Sequence, residues 1–170
     1  VKGLQNVVGS VLLLTRGVET PLAREPVDVV ALVKAETERL HATAKDREVT
    51  LASVRGPRIV VGDPSLLARA VANLLDNAHL HSVAGGGLRV RVEVVGATLL
   101  VSVEDDGPGI PPTRREKVFE RFWRAPGAPA GGTGLGLAIA RWIAERHDGS
   151  IHAENRDPGP GARFVVRIPG

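Results

Sequence analysis

The 170-residue chain contains no cysteine, no methionine and no tyrosine. Without cysteine it has neither disulfides nor a Cys-ligated zinc site, which fits a reducing compartment. A chain that begins at Val1 and holds no methionine reads as a piece of a longer protein. Only three Phe and two Trp are present, and no run of basic residues accompanies the net charge of +3. Scattered arginines with so few rings to stack bases argue against nucleic-acid binding, despite a pI near 9.9. No apolar run approaches the roughly 20 residues of a membrane span. The opening VKGLQNVVGSVLLLTRG lacks the small-residue cleavage site of a signal peptide.

What is present is an ordinary globular composition, with 43% apolar and 24% charged residues, enough for one domain with a single core. Leu4, Val7, Val8, Val11, Leu12, Leu14 and Val18 recur at helical spacing, which predicts an amphipathic helix with one face seeking a partner. ETPLAREP reads as a linker. Asp28 can cap a helix over VVALVKAETERLHATAKDR. REVTLAS and RIVVG follow as strands, split by a Gly56-Pro57 turn. Asp63-Pro64 then opens a long helix, with Asp as N-cap and Pro in the first turn. LRVRVEVV and TLLVSVED alternate with period two, and a Gly96-Ala97 turn joins them. A Gly/Pro-rich stretch from 107 to 134 is interrupted by a short helical piece, REKVFERFWR. A helix over LGLAIARWIAERH and two strands, SIHAEN and RFVVRI, close the chain. Helices mixed with mostly antiparallel strands predict an α+β sandwich, one sheet covered on one face by helices.

Three clusters carry chemistry. Asn73 and Asn77 lie one turn apart on a very apolar helix, ANLLDNAHLHS. Asparagine is a mediocre helix former, so the pair suggests a pocket-facing role, and an amide oxygen suits Mg²⁺. VEDDGPGI places Asp105 at a strand end, before Gly107 and Gly109. A carboxylate there can accept a hydrogen bond from an exocyclic amine such as that of adenine. By itself the segment is equally a Gly-Pro turn with Asp105 in solvent. GGTGLGLAIA opens a helix with glycines, an arrangement suited to phosphate. It is not a Walker loop, since no Gly-Lys-Ser/Thr follows.

In order, these segments resemble the ATP-binding catalytic domain of bacterial sensor histidine kinases, whose Bergerat-type fold is shared with gyrase, Hsp90 and MutL ATPases. ANLLDNAHLHS resembles the asparagine box, VEDDGPGIP the first glycine box, VFERFWR the phenylalanine box and GGTGLGLAIA the second glycine box. HDGSIHAENRDPGPGARFVVRIP resembles the closing hairpin. The likeness runs from about residue 25 to 169. It implies that residues 1–20 end a dimerisation-hairpin helix, 21–28 form a linker and 29–170 form the catalytic domain.

The resemblance further implies an ATP site. Asn77 would ligate Mg²⁺; Asn73, as a catalytic residue, would contact the metal or position its water. Asp105 would read the adenine amine above a floor shaped by Gly107, Gly109 and Ile110. Gly132, Thr133, Gly134, Leu135, Gly136 and Leu137 would approach the phosphates. Residues 108–133 would form a lid anchored by Phe119 and Phe122. His81 would line the same site. The lysine that commonly follows the metal asparagine by three residues is replaced by Leu80, and His79, His81, Arg121 or, foremost, Arg124 would compensate. The reaction implied is transfer of the ATP γ-phosphoryl to a histidine on the dimerisation hairpin. None of His41, His79, His81, His147 and His152 has the sequence context of that acceptor. The whole protein would be a membrane-anchored homodimer with this domain in the cytoplasm, serving a response regulator. A serine kinase of the same fold, an ATP-driven clamp and a degenerate partner-binding module are the rival readings. The clamps place a glutamate where Asn73 stands.

Overall fold

The computed structural model describes residues 8–9, 11–12, 21–44, 48–55 and 59–170. Five strands form the main sheet: β2 (Val49–Arg55), β4 (Leu88–Val95), β5 (Thr98–Glu104), β6 (Ser150–Asn155) and β7 (Ala162–Ile168). Their order is β2-β4-β5-β7-β6. β2 runs parallel to β4, and every other pair is antiparallel. β1 (Glu25–Asp28) and β3 (Ile59–Gly62) form a separate antiparallel ribbon. Three helices, α1 (Val29–Thr43), α2 (Pro64–His81) and α3 (Gly136–Arg146), cover one face of the main sheet.

The period-two pattern decides which face is covered. Leu88, Val90, Val92 and Val94 of β4 are buried, whereas Arg89, Arg91 and Glu93 point to the other side. Leu99, Val101 and Val103 of β5 and Phe164, Val166 and Ile168 of β7 continue the buried layer. Leu67, Val71, Leu74, Leu75 and Ala78 of α2 pack on it. Each fully buried Leu or Val contributes on the order of 1.5–3 kcal/mol. The α+β sandwich predicted from the sequence is therefore the observed architecture.

Both expected helix starts are present. Asp28 Oδ1 accepts from the N–H groups of Val30 and Ala31. Asp63 Oδ1 accepts from Leu66 N–H at 3.0 Å, with Pro64 at the first position. A long-range tie reinforces the second start. His147, 5% exposed at the end of α3, accepts the Asp63 N–H on Nε2 at 3.0 Å. Its Nδ1 must then carry the proton, donated to Ile143 O at 2.8 Å. α2 and α3 are thus fastened together at that end.

The structure departs from the sequence-based expectation in two described places. The end of the expected linker, 25–28, is strand β1; Val27 is buried and pairs with Val60 across the ribbon. REKVFERFWR, residues 115–124, is not a continuous helix: it holds one short 3₁₀ turn, Lys117–Phe119, and a second such turn, Pro112–Arg114, precedes it. Phe122 there takes a left-handed φ of 63° and donates its N–H to Gly134 O at 2.8 Å, which ends any helical run. Of the expected N-terminal helix, Val8, Gly9, Val11 and Leu12 are helical and the rest lies outside the described residues. Val11 packs against a small cluster of Ala70, Leu135, Ile139 and Ile143. The Gly56-Pro57 turn also lies outside the described residues.

Candidate functional site

The C-terminal half of α2 is the spine on which three loop segments meet. A Cβ on Gly107 would lie 2.5 Å from the His81 carbonyl oxygen. A Cβ on Gly132 would lie 2.9 Å from Leu80, and one on Gly136 would lie 3.6 Å from Asn73 Oδ1. Both glycine segments and the asparagine helix therefore converge, although they lie up to 63 residues apart in sequence. Only glycine permits the approach at 107, because any side chain would collide with backbone.

Asp105 sits at the tip of β5 and is 2% exposed. Its Oδ1 accepts from the N–H groups of Gly107 at 2.8 Å and Ala162 at 3.2 Å. Its Oδ2 is buried and has no partner. Burial pushes the carboxyl above the usual range; the Gly107 and Ala162 N–H groups, then His81 and Arg156, oppose that rise. An unpartnered buried oxygen costs about 1–3 kcal/mol, so this one marks where a donor is missing. Beside it, burial lowers His81; Asp105 opposes the shift and Arg124 adds to it. His81 therefore favours its neutral form.

Asn73 and Asn77 are both half-buried on α2. Asn73 Nδ2 is a second buried atom without a partner, and His79 Nδ1 is a third on the same helix. Asn73 faces the start of α3, where no side chain caps the helix. The first N–H groups of α3 are left for an anion. Among the described residues no group of three or more His, Asp or Glu gathers as a metal cage. A cation here would draw most of its ligands from phosphate and water, the habit of Mg²⁺, and an Asn oxygen fits that role.

The remaining predicted residues divide. Gly109, with φ of 76°, lies against Asn155, whose Oδ1 accepts the Ile110 N–H at 2.7 Å. Thr133 Oγ1 accepts the Leu135 N–H at 3.3 Å. Leu135 and Leu137 are buried core residues, so only their main chains are available to a ligand. Phe119 is buried, meets Phe164 edge-to-face and lies under the Arg141 guanidinium. Phe122 is 59% exposed, so of the two rings only Phe119 is packed into the core. Arg124 is committed to the lid itself, donating to Pro129 O at 2.6 Å, and Leu80 packs toward Gly132 in the place where a lysine was expected. The sequence did not disclose Ala162, Asn155 or Arg156 as supports of the site. Each acts through a contact with a residue at least 45 positions away, and the run of three acids at 104–106 was the only signal.

Comparison with known proteins agrees with this geometry. The family model for histidine kinase-, DNA gyrase B-, and HSP90-like ATPases matches residues 62–170. A signal transduction histidine-protein kinase/phosphatase MprB from Mycobacterium sp. (strain KMS) is 41% identical over 177 residues. That alignment spans the whole of this chain and 34% of the relative, so the chain covers about a third of such proteins. The structure of a mycobacterial sensor histidine kinase MprB superposes with a TM-score of 0.77 at 37% identity, covering 87% of this chain and 98% of that one. Full-length ShkA in complex with AMPPNP gives 0.82 at 28% identity, covering 98% of this chain and 35% of ShkA. The chain belongs to the histidine kinase-, DNA gyrase B- and HSP90-like ATPase family, as a histidine-kinase catalytic domain.

Proposed function

We propose that this domain binds ATP with Mg²⁺ and directs the γ-phosphoryl to a histidine on the dimerisation hairpin of the same protein. The observation that carries the proposal is the buried, unpartnered Oδ2 of Asp105 beside a glycine-lined spine on α2. With Oδ1 committed to two N–H groups, Oδ2 is left to accept from the adenine amine. His81 would flank the base, and the open start of α3 with the 131–136 loop would receive the phosphates. Asn77 would hold Mg²⁺ through its side-chain oxygen, with Asn73 one turn earlier orienting phosphate or water. The ion would supply charge neutralisation, which phosphoryl transfer needs more than covalent help.

Asn73 speaks against the clamp alternative, because an amide cannot act as a base toward water. His147 is unsuited as a phosphate acceptor, since it is buried with both ring nitrogens bonded. The acceptor, the response regulator, homodimerisation and a membrane anchor therefore belong to the whole protein. Among the described residues no helix is long and apolar enough to cross a membrane.

Calorimetric titration with AMPPNP tests the proposal. Binding in the micromolar-to-millimolar range is expected, strengthened by Mg²⁺ in wild type and insensitive to Mg²⁺ in Asn77→Ala. Absence of heat at millimolar AMPPNP with Mg²⁺ would overturn it.

A further inference from the structure

Glu104, Asp105 and Asp106 place three acids in succession at the end of β5. Pleating sends them to alternate sides. Asp105 turns toward the helices, and its two neighbours turn to the outer face of the sheet.

The outer face answers with arginines. A cleft of about 500 Å³ there is lined by Arg89, Arg91, Arg156 and Arg163 around Glu104. Arg91 donates to Glu104, and Arg163 donates to Glu154 at 3.1 Å. Arg89 stands 3.9 Å from both Glu104 and Asp106. Arg156 differs from these in meeting all three acids. It donates to Asp106 Oδ1, its Nη1 reaches the Asp105 main-chain oxygen at 3.4 Å, and its Nε lies 3.8 Å from Glu104 Oε2. Its side chain is only 15% exposed. An exposed ion pair would add little, but this one is mostly covered and grips main chain.

The turn that carries Arg156 is the same turn that holds Asp105. Arg156 N–H donates to Gly161 O at 3.0 Å, and Arg156 Nη1 donates to Pro160 O at 3.3 Å. Ala162, next in the chain, gives its N–H to Asp105 Oδ1 and accepts the Asp105 N–H at 3.0 Å. We propose that Arg156 is a positioning residue for nucleotide recognition: it ties the tip of β5 to the β6–β7 turn and places its positive charge beside the buried Asp105, whose free oxygen accepts from the base. This rests on the adenine-reading role given to Asp105 above.

The charged and titratable groups around Asp105 are His81 from the end of α2, Arg156 from the β6–β7 turn, and Glu104 and Asp106 on its own strand; Arg124 of the lid acts on His81. Burial raises the Asp105 carboxyl and Arg156 opposes the rise. Removing the arginine therefore lets the midpoint climb further, and the protonated, poorly accepting form persists to higher pH.

The test is a carboxyl-carbon NMR titration of Asp105, assigned by its absence in Asp105→Asn, paired with ADP calorimetry across pH. In Arg156→Gln the midpoint should move up, and ADP should bind several-fold more weakly, with the loss greatest at low pH. Arg156→Lys should return the midpoint toward wild type. Arg156→Met, which keeps the aliphatic stem, serves if the Gln variant does not fold. An unmoved midpoint in the neutral variants would overturn the inference, even with weakened ADP binding, since a purely structural role predicts that pattern. So would a lysine variant that behaves like Gln. If Asp105→Asn binds ADP as wild type does, the role given to Asp105 falls, and this inference with it. If Asp105→Asn is defective while Arg156→Gln is silent, only the role of Arg156 falls.

Discussion

The two ends of the proposed ATP site are built on opposite plans. At the end proposed to read the base, Asp105 is buried, and one of its oxygens is fixed by two main-chain N–H groups from separate segments. At the end proposed to take the phosphates, residues 131–134 are exposed or half-buried. Its described anchors are few: Phe122 N–H to Gly134 O, and Leu135 N–H to Thr133 Oγ1. The first end carries its strain before any ligand arrives, as a desolvated carboxylate with an unpartnered oxygen. The second is held by few contacts, one of them from Phe122 in a left-handed conformation. A rigid acceptor suits a flat base with one amine to recognise. A loose loop suits a phosphate chain whose length changes as the reaction runs.

Gly161→Ala is the largest perturbation expected. A Cβ at Gly161 would sit 1.9 Å from the Asp105 main-chain oxygen, at a φ of 123°. The loss should be about 3 kcal/mol or more in urea unfolding, with adenosine and AMPPNP weakened alike. A neutral substitution would show that the base end is not held as described.

Gly134→Ala should do less and act selectively. Its φ is 71°, and an added Cβ would meet the Phe122 main chain at 2.7 Å, but residues 131–134 are exposed or half-buried rather than packed in the core. A cost of about 1–2 kcal/mol is expected. Binding should weaken several-fold for AMPPNP and hardly at all for adenosine in calorimetry. Equal losses for both ligands would erase the distinction between the two ends.

The same contrast governs what the sequence disclosed. Local signals were legible: Asp63-Pro64 started α2, and the alternation in LRVRVEVV set the buried face of β4. Features that depend on distant partners were not. β1 hid inside a proline-containing stretch because its partner, β3, lies more than 30 residues on. REKVFERFWR mimicked a helix, since Val118, Phe119 and Phe122 share a helical stripe, yet Phe122 is drawn out by its bond to Gly134. Phe119 and Phe122 looked equivalent and proved to be a core residue and an exposed one. Arg156 and His147 gave no local sign of their contacts with Asp105 and Asp63.

The most direct measurement compares ADP with inosine diphosphate, the same nucleotide carrying an oxygen in place of the 6-amino group. By calorimetry, wild type should prefer ADP by about tenfold or more, and Asp105→Asn should lose that preference. Equal affinity of wild type for both nucleotides, or a preference that survives in Asp105→Asn, would contradict the assignment of Asp105 Oδ2 to the base.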